Sequence, residues 1–76
     1  MSLLENRVLV YLLNKSNDGT SLKIKIKNVS KDLNESYMSI FRVLKALERS
    51  NVIKKSNSKR GGLKLTILAM ANKLTL

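Results

Sequence analysis

With 76 residues the chain has room for one small domain and a thin core, and 15 Lys and Arg against 5 Asp and Glu give it a formal charge of +10 and a pI near 10.3. No Cys or His is present, which excludes a disulfide framework, a thiolate metal site, a thiol nucleophile and the commonest acid–base side chain. A hydrophobic fraction of 43% is that of a folded domain and not of a disordered basic tail.

The first expected element is a helix over residues 3–14. Leu4, Val8, Tyr11 and Leu12 make its core-facing side, while Leu9 and Leu13 read as the opposite side with Val10 on a flank. Such a helix is apolar on more than one face, so part of it is expected to be covered by something other than its own core. Asn17-Asp18-Gly19 closes the segment in a turn. Leu22-Lys-Ile-Lys-Ile-Lys27 then alternates with period two, which predicts a strand with Leu22, Ile24 and Ile26 inward and Lys23, Lys25 and Lys27 outward. Asn28 is a candidate cap for a short second helix with Val29 and Leu33 inward. Asn34 and Glu35 supply a turn, and Ser36 can cap the next helix, expected over residues 36–50.

That third helix is the most polarised segment. Ile40, Val43, Leu44 and Leu47 fall at i, i+3, i+4 and i+7 and make one apolar stripe. Roughly 180° away, at about 100° per residue, stand Met38, Arg42, Lys45 and Arg49. Arg42 with Lys45, and Lys45 with Arg49, are like-charge neighbours that each cost an isolated helix a few tenths of a kcal/mol. Asn51 is suited to the left-handed conformation that closes a helix. Two strands follow, about Val52–Lys55 and Leu63–Leu68, joined by the cationic loop Ser56-Asn-Ser-Lys-Arg-Gly-Gly62. Ile67, Met70, Ala71 and Leu74 again show helical spacing, which predicts a short C-terminal helix.

Charge is concentrated in this arrangement. Residues 1–22 are neutral overall, whereas residues 23–64 hold twelve cations against Asp32, Glu35 and Glu48. A patch of this kind points to a polyanionic partner. Enzymatic chemistry has little support. The Gly61-Gly62 pair lacks the Lys-Ser/Thr of a phosphate-binding loop, and Asp32 and Glu35, near a helix start, fit dipole complementation better than catalysis. No apolar run approaches the roughly 18 residues that span a bilayer, and Glu5 and Arg7 interrupt the apolar N-terminus. The expectation is a non-enzymatic cytoplasmic, nucleoid-associated protein with no cofactor, metal, membrane or small-molecule ligand.

In its order of helix, strand, helix, helix, strand, strand, the chain resembles a winged helix-turn-helix domain, an α+β fold, and is most similar to the minimal DNA-binding modules of bacterial and archaeal transcription regulators. The likeness runs from Lys27 to Lys64, with a turn motif over about 28–50 and a wing over about 52–68. Val29 and Leu33 match core positions of the second helix, and Ser36, Ile40, Leu44 and Leu47 match the cap and core of the recognition helix. Asn51-Val52-Ile53 stands where Gly-aliphatic-Ile leads into the wing, and Glu35 departs from the aliphatic residue common at the turn. The resemblance implies binding of double-stranded DNA with helix 36–50 in the major groove. Tyr37, Met38, Ser39, Phe41, Arg42 and Lys45 are then the candidates for base contacts, with Arg42 the best placed chemically because its planar fork matches guanine O6 and N7. Phe41 and Tyr37 sit at the edge of the stripe, where packing competes with DNA contact. Arg49, Lys54, Lys55, Lys59, Arg60 and Lys64 are candidates for backbone or wing contacts. Lys23, Lys25 and Lys27 are weaker ones, since lysines also guard edge strands.

Pairing as a homodimer on an inverted repeat is expected, through Leu9, Val10 and Leu13 of the first helix and Met70, Leu74 and Leu76 of the tail. The competing arrangement folds the tail over Leu9 and Leu13 within one chain. Beside the transcription-regulator reading stand a replication initiator or architectural DNA-binding protein of a plasmid or virus, and a small winged-helix RNA-binding protein of ribosomal type.

Overall fold

The computed structural model describes residues 2–16, 21–57 and 62–68. Three helices, α1 (Leu3–Lys15), α2 (Ile26–Leu33) and α3 (Tyr37–Arg49), combine with three strands, β1 (Ser21–Ile24), β2 (Ile53–Asn57) and β3 (Leu63–Ile67). The result is a small α+β domain whose element order is the one expected. Its sheet is antiparallel throughout, in the order β1-β3-β2, so the last strand is the central one.

Local chemistry explains most boundaries. Ser2 Oγ accepts from the Glu5 amide at 3.1 Å and starts α1. Ser36 Oγ accepts from the Ser39 amide at 3.1 Å and starts α3. α2 and α3 end alike. Asn34 (φ 55°) and Asn51 (φ 59°) adopt the left-handed region, where asparagine is among the few non-glycine residues found regularly. The following amides reach back to the last turn, Glu35 N–H to the Ser30 carbonyl and Val52 N–H to the Leu47 carbonyl, each at 2.9 Å. Val52 and Leu47 are both buried, the apolar contact that commonly accompanies this closure.

The core comprises Val8, Leu9 and Leu12 of α1, Ile24, Ile26 and Val29, Ile40, Val43, Leu44 and Leu47 of α3, and Val52, Ile53, Leu65 and Ile67. Among the described residues it contains no buried polar side chain. Two expectations are corrected here. β1 ends at Ile24 and α2 begins at Ile26, with Lys25 rather than Asn28 at the N-cap. Ile26, Val29 and Leu33 fall at i, i+3 and i+7, so the helical period takes over where the alternating one was read as continuing. The second concerns Leu9, which is only 1% exposed and belongs to the domain's own core. Leu9 lies about 60° around the helix from Leu12 at 100° per residue, so the inward arc is wide enough to include it. Leu13 packs partly against the same core, and Val10 is 43% exposed.

One ion pair and two hydrogen bonds pin α1 to the end of α2 and the turn after it. Arg7 Nη1 lies 3.4 Å from Glu35 Oε2, and Arg7 Nη2 donates to the Leu33 carbonyl at 3.3 Å. The Tyr11 hydroxyl donates to Asp32. Burial, then the hydrogen bond to Asp32 and its charge, push the Tyr11 hydroxyl up to about 12. Asp32 and Glu35 are thereby occupied on the α1 side and do not neutralise the outer face of α3.

Candidate nucleic-acid interface

α3 buries its apolar stripe completely, with Ile40 and Leu47 at 0% exposure. The stripe fixes the rotation of the helix, so the cationic side has to face outward. Arg42, Lys45 and Arg49 are exposed, and Met38 is 52% exposed. None of the three cations forms an ion pair with a carboxylate among the described residues, where only Arg7 and Lys55 do. A like-charge ridge without counter-charges is thus present on a rigid element.

The base-contact candidates divide. Met38, Arg42 and Lys45 stand on the outward ridge, and Tyr37, also 52% exposed, begins its flank. Ser39 is half-buried and engaged in the cap, its amide donating to Ser36 Oγ and its own Oγ accepting from the Ser36 hydroxyl at 2.9 Å. Phe41 is half-buried against the core. Its ring carries two ammonium groups, Lys45 Nζ at 5.3 Å and Lys55 Nζ at 5.8 Å from the centroid, so it orders cations as well as packing.

The strand register sorts the lysines by face. Leu65 and Ile67 of β3 are buried and Leu63 is partly so, while Lys64 between them is exposed. Lys55 pairs with Leu65 across β2 and β3 and therefore projects to the inner, α3-bearing side. Its ammonium lies 3.6 Å from Glu48 Oε1, with only 20% of the side chain exposed. Glu48 neutralises this strand lysine rather than its helix neighbours. Lys54 and Lys64 point the other way, onto the outer face of the sheet, and so does Lys23, which is directly opposite Lys64. Lys54 and Lys64 are among the candidates for backbone or wing contacts. Period-two alternation puts them on the face turned away from α3.

A groove of about 420 Å³ opens along the Phe41 flank of α3. Lys25, Lys27 and Lys55 line it together with Tyr37 and Phe41, over a floor that includes Ile24 and Leu63. Residues 25 and 27 enter it because α2 starts earlier than the alternating pattern implied. This was the signal missed in the sequence, where Lys25 and Lys27 were grouped with Lys23 on one strand face. The arrangement can hold phosphate oxygens at a cationic rim and a flat apolar surface at Tyr37.

Lys59 and Arg60 of the expected wing, and Met70, Leu74 and Leu76 of the expected contact surface, lie outside the described residues, as does the expected C-terminal helix. Among the described residues no group of three or more acidic, His or Cys side chains is placed to hold a metal, and no helix is long and apolar enough to cross a membrane. Comparison of the chain with protein-family models, curated proteins and solved structures finds no match.

Proposed function

We propose that the protein is a sequence-specific double-stranded DNA-binding protein of winged helix-turn-helix type, acting as a transcription regulator, with α3 as the recognition helix. The observation that carries this reading is the outward ridge Met38, Arg42, Lys45 and Arg49, which is cationic, exposed and without carboxylate partners among the described residues. An α-helix fits the major groove of B-DNA, and the early residues of a recognition helix reach base edges. Arg42 offers a bidentate donor fork for guanine, while Met38 offers an apolar contact for a thymine methyl. Arg49 and the groove lysines Lys25 and Lys27 serve phosphates, which give affinity and register without reading sequence. Lys59 and Arg60 would extend the contact to backbone or minor groove. The acting species is a homodimer that sets two copies of α3 about one DNA turn apart, roughly 34 Å.

Selection of bound sites from a random duplex pool tests the reading, run with the wild-type chain and with Arg42→Ala. An enriched motif is expected, and Arg42→Ala should lose on the order of 1–3 kcal/mol at that motif and flatten its preference at one base pair. No enrichment, with equal affinity for all duplexes, removes sequence-specific recognition. An equal loss on every sequence assigns Arg42 to a phosphate.

A further inference from the structure

The outer face of the sheet carries a second cationic cluster that the recognition helix does not use. Side chains on this face come from Ser21 and Lys23 of β1, Lys64 and Thr66 of β3, and Lys54 and Ser56 of β2. Lys23 and Lys64 are direct cross-strand partners, and Lys54 pairs with Thr66, two residues along β3 from Lys64. Directly opposed residues hold their Cβ atoms about 4.5–5.5 Å apart, and like charges there are destabilising. Lys23, Lys54 and Lys64 are all exposed, and none has a carboxylate partner among the described residues. Protection of sheet edges accounts for lysines on β1 and β2. It does not account for Lys64, because β3 is the central strand and has no free edge.

We infer that this sheet face is a second polyanion site, which takes the phosphate backbone of a second DNA duplex. Three ammonium groups set beside the hydroxyls of Ser56 and Thr66 offer point charges and hydrogen-bond groups to phosphate oxygens. They offer no planar fork or aromatic surface, so the contact is blind to sequence. The face lies across the sheet from α3, since Lys55 on the inner side is the strand lysine that reaches Glu48 and Phe41. One duplex on the α3 ridge therefore leaves the outer face open, and a protein holding both brings two DNA segments together. This rests on the proposed DNA binding by α3.

The test is capture of a second duplex. A biotinylated duplex is held on beads, protein is added, and retention of a second, fluorescent duplex is measured for three chains: wild type, Lys23→Gln/Lys54→Gln/Lys64→Gln, and Arg42→Ala/Lys45→Ala/Arg49→Ala. Circular dichroism of each confirms the fold. The wild type is expected to retain the second duplex. The sheet variant is expected to keep its affinity for the first duplex and lose about tenfold or more of the captured second one. The helix variant should bind the first duplex more weakly and capture less of the second. Wild type that binds one duplex but captures no second overturns the inference and leaves the α3 reading standing. Undiminished capture by the sheet variant also overturns it, because a dimer with two copies of α3 is then the bridge. Wild type that does not bind the first duplex fails the proposed function, and the inference falls with it.

Discussion

Salt dependence of binding tests the placement of charge quantitatively. Binding to a duplex releases about 0.9 counterion for each phosphate that a cation neutralises. Arg42, Lys45 and Arg49 form the outward ridge of α3, and Lys25 and Lys27 line the adjoining groove. Three contacts predict a slope of log K against log salt of about −2.7, and all five predict about −4.5. At the steeper value affinity falls roughly 500-fold between 50 and 200 mM salt. Lys59 and Arg60 steepen it by up to about 1.8 where both reach phosphates. Fluorescence anisotropy with one labelled duplex, at protein concentrations too low for bridging, measures the slope. Arg42→Ala/Lys45→Ala/Arg49→Ala should make it shallower by about 2.7, while Lys23→Gln/Lys54→Gln/Lys64→Gln should leave it unchanged. A slope near zero refutes the electrostatic argument. A slope moved by the sheet variant and not by the helix variant refutes the assignment of faces.

Two further predictions concern the scaffold. Leu9→Ala should cost about 2–5 kcal/mol in urea unfolding, because Leu9 is 1% exposed in the core; a loss below about 0.5 kcal/mol, the level of ordinary surface substitutions, would return it to the surface. Tyr11, raised from 10.0 to about 12, contributes stability that is fully present below pH 10 and is lost as pH rises towards 12, since the unfolded chain ionises first. Absorbance titration of the tyrosinate in Tyr37→Phe, which leaves Tyr11 as the one tyrosine, should show a midpoint near 12, and a midpoint at 10 would refute the burial of Tyr11 together with its Asp32 contact.

Helix α3 was legible in the sequence because one residue set serves every level. Its stripe at i, i+3, i+4 and i+7 became the buried face, Ser36 became the cap, and Asn51 took the left-handed conformation. The β1–α2 junction was not legible, because Ile24 and Ile26 satisfy period two while Ile26, Val29 and Leu33 satisfy the helical period. Local pattern cannot choose between them, and the packing of the short helix against α3 does. Leu9 was misplaced for a related reason. α1 packs against α3 and is tied through Arg7 and Tyr11 to α2 and the turn after it, so its inward arc is wider than a single stripe. For the candidate site, the ridge could be read from spacing alone. Which face each strand lysine takes depends on register, and register depends on long-range pairing. Lys54 and Lys55 are adjacent in sequence, yet they point to opposite sides of the sheet.

Self-association is the expectation most changed by these placements. A stable interface buries about 800 Å² on each partner. With Leu9 in the core and Leu13 partly so, the exposed large apolar residues among those described are Leu3, Val10, Tyr37 and Met38. The last two belong to the proposed DNA face. Leu3 and Val10 are seven residues apart and so share one side of α1, but two side chains cannot supply such an area. A dimer through α1 must therefore also draw on Met70, Leu74 and Leu76. The informative substitution is Val10→Lys, because Leu9→Lys would place an ammonium in the core and unfold the domain. Sedimentation at tens of micromolar should give a two-chain mass for the wild type and a shift towards one chain for Val10→Lys and for Leu74→Lys, each with its helical signal intact. A one-chain mass for the wild type would sink the dimer. Recognition would then rest on a single α3, and an enriched site would have no reason to be an inverted repeat.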